Sequence, residues 1–231
     1  MKLLKLISIP LLVLFGNSLW AQQKGEDIQL KFRALAVNYP LLSGVYLTPT
    51  GGEPIRIYSN SRTEWINYNG PNPITFYAQK SAADGASERI PIASFDAINA
   101  PKDPLLVFSR KNSEEMNYNI GVVSDNVSDA PSGSYRIFNF TQKQIAGMID
   151  DQRFLLAPKA SAFAIISNPK NFEVTVQLAE NDQGKAKRLY ASTWTFSDNF
   201  RYLVFILPTD DRTRGNIDIR LIPDLIRKSV H

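Results

Sequence analysis

The chain is predicted to be all-β, with two antiparallel β-sandwich units in tandem behind an N-terminal targeting segment. Three observations predict this. Short alternating or apolar runs, bounded by Pro, Gly, Asn and Asp, fill the chain from about residue 26 onward. An apolar run from Leu6 to Phe15 follows Lys2 and Lys5. The order of runs over residues 26–128 then recurs over residues 134–226.

Lys2 and Lys5 form a basic start, the run to Phe15 an apolar middle, and small residues lead to Ala21 as the last residue of a secretory signal peptide spanning 1–21. The run is too short to cross about 30 Å of hydrocarbon, and no later stretch is long enough, so the mature chain is expected to lack a transmembrane segment and to be periplasmic or extracellular. The chain holds no Cys, which excludes a cysteine-linked lipid anchor and leaves burial, not disulfides, to hold the fold. With 44% hydrophobic and 11% aromatic residues there is material for that burial. The formal charge of +4 falls to +2 once Lys2 and Lys5 leave, and the cations are mixed with Asp and Glu, so no nucleic-acid partner is expected. Lys185-Ala-Lys-Arg188 is the one compact basic cluster and reads as a solvated hairpin tip.

Ile28, Leu30, Phe32 and Ala34 alternate with polar residues as a half-buried first strand. Gly44–Leu47, Pro54–Tyr58, Trp65–Tyr68 and Ile74–Tyr77 follow, separated by Thr48–Gly52, a polar gap and the strong break Asn69–Pro73. Arg89–Ala93 reads as an edge strand because Pro91 has no N–H to donate. Leu105–Phe108 is apolar throughout and expected to be buried on both faces; after a charged turn at 111–115, Tyr118–Val123 completes the unit. Asp129–Gly133 is a short linker. Tyr135–Phe140 then opens the second unit, followed by a hairpin of Gly147–Ile149 with Arg153–Leu156, and by Ala162–Ile166, Phe172–Val176, Arg188–Trp194, Tyr202–Leu207 and Asn216–Ile222. Between the halves, Ile74-Thr-Phe precedes Val174-Thr-Val by 100 residues, Leu106-Val-Phe108 precedes Leu203-Val-Phe205 by 97, and Ile120–Asp125 precedes Ile219–Asp224 by 99. The spacing predicts a duplication, with a close, shared interface beside the linker; the alternative reading is one larger sandwich or barrel whose two sheets resemble each other.

The Gly133-Ser-Tyr-Arg-Ile-Phe-Asn-Phe140 opening and the Leu-Val-Phe strand resemble uncharacterised secreted bacterial proteins built from tandem immunoglobulin-like β-sandwich domains. That resemblance implies the immunoglobulin-like fold and no activity. The chain also has the outline of a periplasmic pilus-type chaperone, a family that caps a subunit's terminal carboxylate with basic residues, a role Arg33 or Lys31 would fill.

The only His is the last residue, His231, and Cys is absent, which removes histidine triads, His-ligated zinc and Cys nucleophiles. Glu53, Glu64, Asp96, Asp150, Asp151 and Glu173 are the carboxylates that would serve a glycosidase, and they read as turn and surface residues. No phosphate loop or metal spacing occurs, so no catalytic residue, metal or cofactor is expected. The strongest binding signal is aromatic: Tyr46, Tyr58, Trp65 and Tyr68 lie among Arg, Asn and Glu, the composition of a sugar-binding face. Tyr58 and Tyr68 are expected to be exposed and Trp65 and Trp194 to be core. Asn126-Val-Ser128 and Asn139-Phe-Thr141 match the glycosylation sequon. The expectation is an exported, non-catalytic binding or structural protein with a protein or glycan partner.

Overall fold

A computed structural model describes residues 26–37, 41–81, 87–110, 116–167, 169–182, 185–209 and 217–226. The expected signal peptide at 1–21, the expected charged turn at 111–115, residues 82–86, 183–184 and 210–216, and His231 lie outside them. The described chain is all-β. Its first half contains β1 (Asp27–Val37), β2 (Leu41–Tyr46), β3 (Ile55–Tyr58), β4 (Ile66–Pro71), β5 (Ile74–Ser81), β6 (Ser87–Phe95), β7 (Pro104–Arg110) and β8 (Tyr118–Ser124). Its second half contains β9 (Ser134–Asn139), β10 (Ile145–Ile149), β11 (Gln152–Leu156), β12 (Ser161–Ile165), β13 (Glu173–Asp182), β14 (Lys185–Thr195), β15 (Phe200–Pro208) and β16 (Ile217–Leu225), with one 3-10 turn at Lys170–Phe172.

These strands form four sheets of four, ordered β4-β1-β7-β8, β3-β2-β5-β6, β12-β9-β15-β16 and β11-β10-β13-β14. Adding eight to each strand number of the first pair of sheets generates the second pair. In both halves the two central strands of the first-named sheet run parallel, β1 beside β7 and β9 beside β15, while the other pairings are antiparallel. The partition departs from the immunoglobulin arrangement, in which strands one, two, four and five share one sheet and three, six and seven the other. Here the first strand leaves the second and lies between the fourth and seventh, a choice of partner that alternation alone does not encode.

Each half encloses its own core. Phe32, Ala34, Ala36, Ile57, Ile74, Phe76, Leu106 and Phe108 are buried in the first, and Tyr135, Ile137, Ile149, Val174, Val176, Val204 and Ile206 in the second. A third apolar layer lies between the halves: Leu35, Val37, Leu105 and Val107 meet Phe138, Leu203, Phe205, Leu207 and Ile222. Alternate residues of β1, β7, β9 and β15 thus serve two different cores, because successive side chains point to opposite faces. This accounts for the unbroken apolar runs at Leu105–Phe108 and Tyr202–Leu207.

The pairings align the halves residue by residue. Leu105 lies opposite Val123 as Leu203 lies opposite Ile222, and Leu35 beside Val107 as Phe138 beside Phe205. Each of these eight residues belongs to the middle layer. Equivalent positions therefore meet across the junction, which is the isologous pattern of a two-fold homodimer. The same alignment corrects one of the three sequence spacings. Leu106 and Phe108 face the first core, whereas Leu203 and Phe205 face the middle layer, so the matching Leu-Val-Phe words are one residue out of structural register. A one-residue slip exchanges faces, and both faces here are apolar, so hydrophobicity gave no warning. The other two spacings keep the faces: Ile74 and Val174 are both core, and Asp125 and Asp224 both follow the last strand's middle-layer residue.

Asp129–Gly133 is not a run of unpaired residues. Gly133 donates its N–H to the Phe200 carbonyl at 2.7 Å and accepts the Ile166 N–H at 3.1 Å, and the Ser132 hydroxyl reaches the Asp198 carbonyl. Gly133 has φ +77°, and a Cβ there would lie 3.2 Å from the Ile166 carbonyl. Pro91 sits on an edge strand as expected, opposite a bulge between Phe76 and Tyr77. Lys185, Lys187 and Arg188 are exposed along edge strand β14, where charge discourages pairing with another sheet. The Asn139 sequon has a structural use: Asn139 is 1% exposed, its amide donates to the Lys143 and Ala157 carbonyls, and its oxygen accepts from Thr141.

Removing a ring from the middle layer tests the coupling of the halves: Phe205→Ala is expected to lower stability by about 3–5 kcal/mol. The unaltered chain is expected to unfold in one transition by calorimetry. Two resolved transitions would show that the halves unfold separately.

Candidate functional site

The charged groups of the junction converge at the end of the middle layer. Arg33 lies on β1, on the face that carries Leu35; Arg62 lies in the loop before β4; Asp125 follows β8; Arg201 and Asp224 are neighbours across β15 and β16. Thr63 places Arg62, since its N–H donates to the Ala34 carbonyl and its hydroxyl accepts the Ala34 N–H, both at 2.9 Å. Asp125 is 3% exposed and receives all three arginines: Arg33 through Nη2, Arg62 through Nε at 3.1 and 3.2 Å, and Arg201 through Nη2 at 3.1 Å. Asp224 accepts Arg201 Nε at 2.9 Å and Nη2 at 2.7 Å and lies 3.6 Å from Arg33 and 3.7 Å from Arg62. Asp125–Arg201, Arg33–Asp224 and Arg62–Asp224 cross from one half to the other.

Three guanidiniums and two carboxylates leave the cluster one positive charge in excess. Burial lowers the Arg62 pKa, against the pull of Asp125 and Asp224, with Arg201 and Arg33 adding to the lowering. Both Nη groups of Arg62, Arg201 Nη1 and Arg33 Nε are buried without a hydrogen-bond partner. Such a cluster gains little over an apolar contact of the same shape, but losing one member leaves an uncompensated buried charge. Its chemistry is that of a specific joint. No group of three or more His, Cys, Asp or Glu residues suited to a metal occurs among the described residues.

The four aromatic residues singled out in the sequence do not form one face. Tyr68 is 8% exposed in the first core, its hydroxyl donating to the Pro71 carbonyl at 2.7 Å, and burial raises its pKa. It was expected at the surface, but β4 begins at Ile66, which packs on the core, so Tyr68 two residues later points the same way. Trp65, expected in the core, is 36% exposed for the same reason of parity. Lys31 Nζ and Arg33 Cζ each lie 4.8 Å from its ring centroid. Tyr46 and Tyr58 lie on the outer face of β3-β2-β5-β6. Tyr46 is covered by the Arg89 guanidinium at 3.4 Å and donates to Gln79, while Tyr58 is 39% exposed. Trp194 is buried as expected and donates to the Tyr190 hydroxyl at 2.9 Å. Glu53, Glu64, Asp96, Asp151 and Glu173 are exposed, and Asp150, between β10 and β11, accepts the N–H of Thr175 on β13. Hydrogen bonds from the Ile98 backbone N–H, then from the Asn72 side-chain amide, lower the Asp96 pKa.

Residue reasoning about chemistry missed the ion cluster, although its two carboxylates had surfaced as the repeated ends of Ile120–Asp125 and Ile219–Asp224. The further signal was Arg201, a charge one residue inside the most apolar strand of the second half. Arg33, one of the cations that the chaperone resemblance would assign to a subunit carboxylate, already holds Asp125. No family model matches the chain, and no curated protein matches it. No helix among the described residues is long and apolar enough to cross a membrane.

Asp125→Asn is expected to destabilise the fold by about 3–5 kcal/mol in urea unfolding, since three buried arginines would then share one carboxylate. A loss below that of an exposed Asp151→Asn control would show that the cluster does not hold the joint. Tyr135 offers a test of opposite sign. Its fully buried hydroxyl has no partner, and burial, then Tyr202 and Asp150, raises its pKa well above the usual tyrosine value. A raised folded pKa contributes stability that is present below about pH 10 and lost as pH rises toward the folded value. Tyr135→Phe is therefore expected to leave stability at pH 7 unchanged or higher, and to move the onset of alkaline unfolding upward. An unchanged alkaline midpoint would assign that unfolding to other groups.

Proposed function

We propose that this is an exported, non-catalytic binding or structural protein of the cell envelope, built from two duplicated β-sandwich domains, residues 26–128 and 134–226. The repeated strand order and the isologous middle layer support the duplication. The observation that carries the functional reading is the exposed Trp65 ring, held against Lys31 and Arg33 while Arg33 is itself anchored on buried Asp125. Large rings held in place at a surface supply contact area at low entropic cost, and Trp and Arg are enriched where proteins meet. The arginines and aspartates of the junction are engaged with one another, so they serve rigidity, and contact falls to the aromatic surface. Lys31 adds a cation beside it, which suits a partner bearing acidic groups.

A photo-crosslinking amino acid in place of Trp65 is expected to yield one discrete adduct in the envelope of the exporting cell, weakened by Lys31→Glu. An adduct pattern matching that from exposed Ile98 would remove the assignment. A carbohydrate-binding role is the second reading, favoured by Tyr58 exposed on the same outer sheet face as Tyr46 and Tyr77, which pair across β2 and β5. On a glycan array, binding abolished by Tyr58→Ala and untouched by Trp65→Ala would replace the first reading with this one.

A further inference from the structure

Among the described residues the four sheets present eight edge strands: β4, β8, β3, β6, β12, β16, β11 and β14. Six of them carry a charge or a proline: Pro71 on β4, Arg56 on β3, Glu88, Arg89 and Pro91 on β6, Arg153 on β11, Lys185, Lys187 and Arg188 on β14, and Asp218, Arg220 and Pro223 on β16. Such residues are how sheet edges avoid adding further strands. Only β8 and β12 carry neither, and β8 exposes no large apolar side chain. Strand β12, Ser161-Ala-Phe-Ala-Ile165, exposes Phe163 at 44% and Ile165 at 45%. Its counterpart in the first half, β4, has exposed Asn67 and Asn69 instead.

The backbone of β12 is divided by parity. Asn139 donates its N–H to the Ala160 carbonyl and Ile166 donates to the Gly133 carbonyl, so the ladder to β9 uses the even-numbered residues. The N–H and C=O groups of Ser161, Phe163 and Ile165 point away from the sheet. The Ile165 carbonyl accepts the Gln152 side-chain amide, a contact that an incoming N–H can replace.

We propose that β12 is a homodimer seam, at which a second copy of this chain adds its own β12 antiparallel, centred on Phe163. Three features select this occupant. Centring on Phe163 makes it a hydrogen-bonded pair with its own copy, sets Ala162 against Ala164, Ser161 against Ile165 and Lys159 against Ser167, and opposes no like charges. The same operation centred on Lys187 of β14 would set that lysine against its own copy. The seam also continues an interface the chain already builds: Phe163 lies opposite Arg136 on β9, and Ser161 opposite Phe138, a middle-layer residue. The product is an eight-stranded sheet running through both copies, closed by a two-fold axis.

Sedimentation velocity of the purified protein through the micromolar range is expected to show twice the chain mass, with exchange protection of the Phe163 amide rising with concentration. Phe163→Lys and Phe163→Pro are expected to be monomeric with unchanged circular dichroism, since the Phe163 N–H takes no part in the ladder to β9. Leu155→Lys, which removes an apolar group 58% exposed on β11, is expected to remain dimeric. A protein that stays monomeric throughout, including one whose β12 pairs only with a foreign strand, overturns the proposal. A dimer that survives Phe163→Pro, or Phe163 protection independent of concentration, overturns it as well, whatever becomes of the Lys variant.

Discussion

The structure depends on two carboxylates, Asp125 and Asp224, being brought together at the joint and neutralised there. Equivalent surfaces meet across the joint, so equivalent residues meet too, and two aspartates at matching positions would repel. Arg33 and Arg62 from the first half and Arg201 from the second convert that repulsion into five mutually bonded side chains. Arg201 is where the two halves differ: the alignment of strands places Asp103 at the same position in the first half, with its carbonyl accepting the Asp125 N–H. A symmetric pair of halves would carry an acidic residue there twice.

Beside that cluster the middle layer sets the composition of the strands. Because Leu35–Val37 of β1, Leu105–Phe108 of β7 and Tyr202–Leu207 of β15 lie between the core of one half and the joint, both faces are apolar there, and these runs lose the alternation that a surface sheet keeps. The rings of Phe138 and Phe205 stack at 5.4 Å and Phe140 meets Phe205 edge-on at 5.7 Å, while the facing positions in the first half are the smaller Leu35, Val37 and Val107. Large against small is how equivalent surfaces pack without a void. The linker is tied to the second half, with both backbone groups of Gly133 bonded to Phe200 and Ile166.

The site was legible to different depths. The edge position of Pro91, the hairpin around Asp150-Asp151 and the burial of Leu105–Phe108 and Trp194 followed from local rules: a missing donor, turn residues and unbroken apolarity. Trp65 and Tyr68 were exchanged in their exposure because the strand boundary fell one residue later than the aromatic run, and a period of two turns a shift of one into the opposite face. The Leu-Val-Phe match failed by the same mechanism. Partner choice among strands was not legible at all, since the runs of β1 and β2 carry no mark saying that they belong to different sheets.

By itself the sequence determined the all-β class, the doubling of the pattern, the lack of disulfides and the recurrence of Asp125 and Asp224, because these are properties of composition and of local period. The tertiary structure alone decided that β1 would sit between β4 and β7, that the recurring aspartates would face each other, that Trp65 would be held outward by Lys31 and Arg33, and that β12 would be an unguarded edge. Each of these depends on which distant strands become neighbours, and that is settled by the combined burial of two faces at once, a quantity no single segment contains.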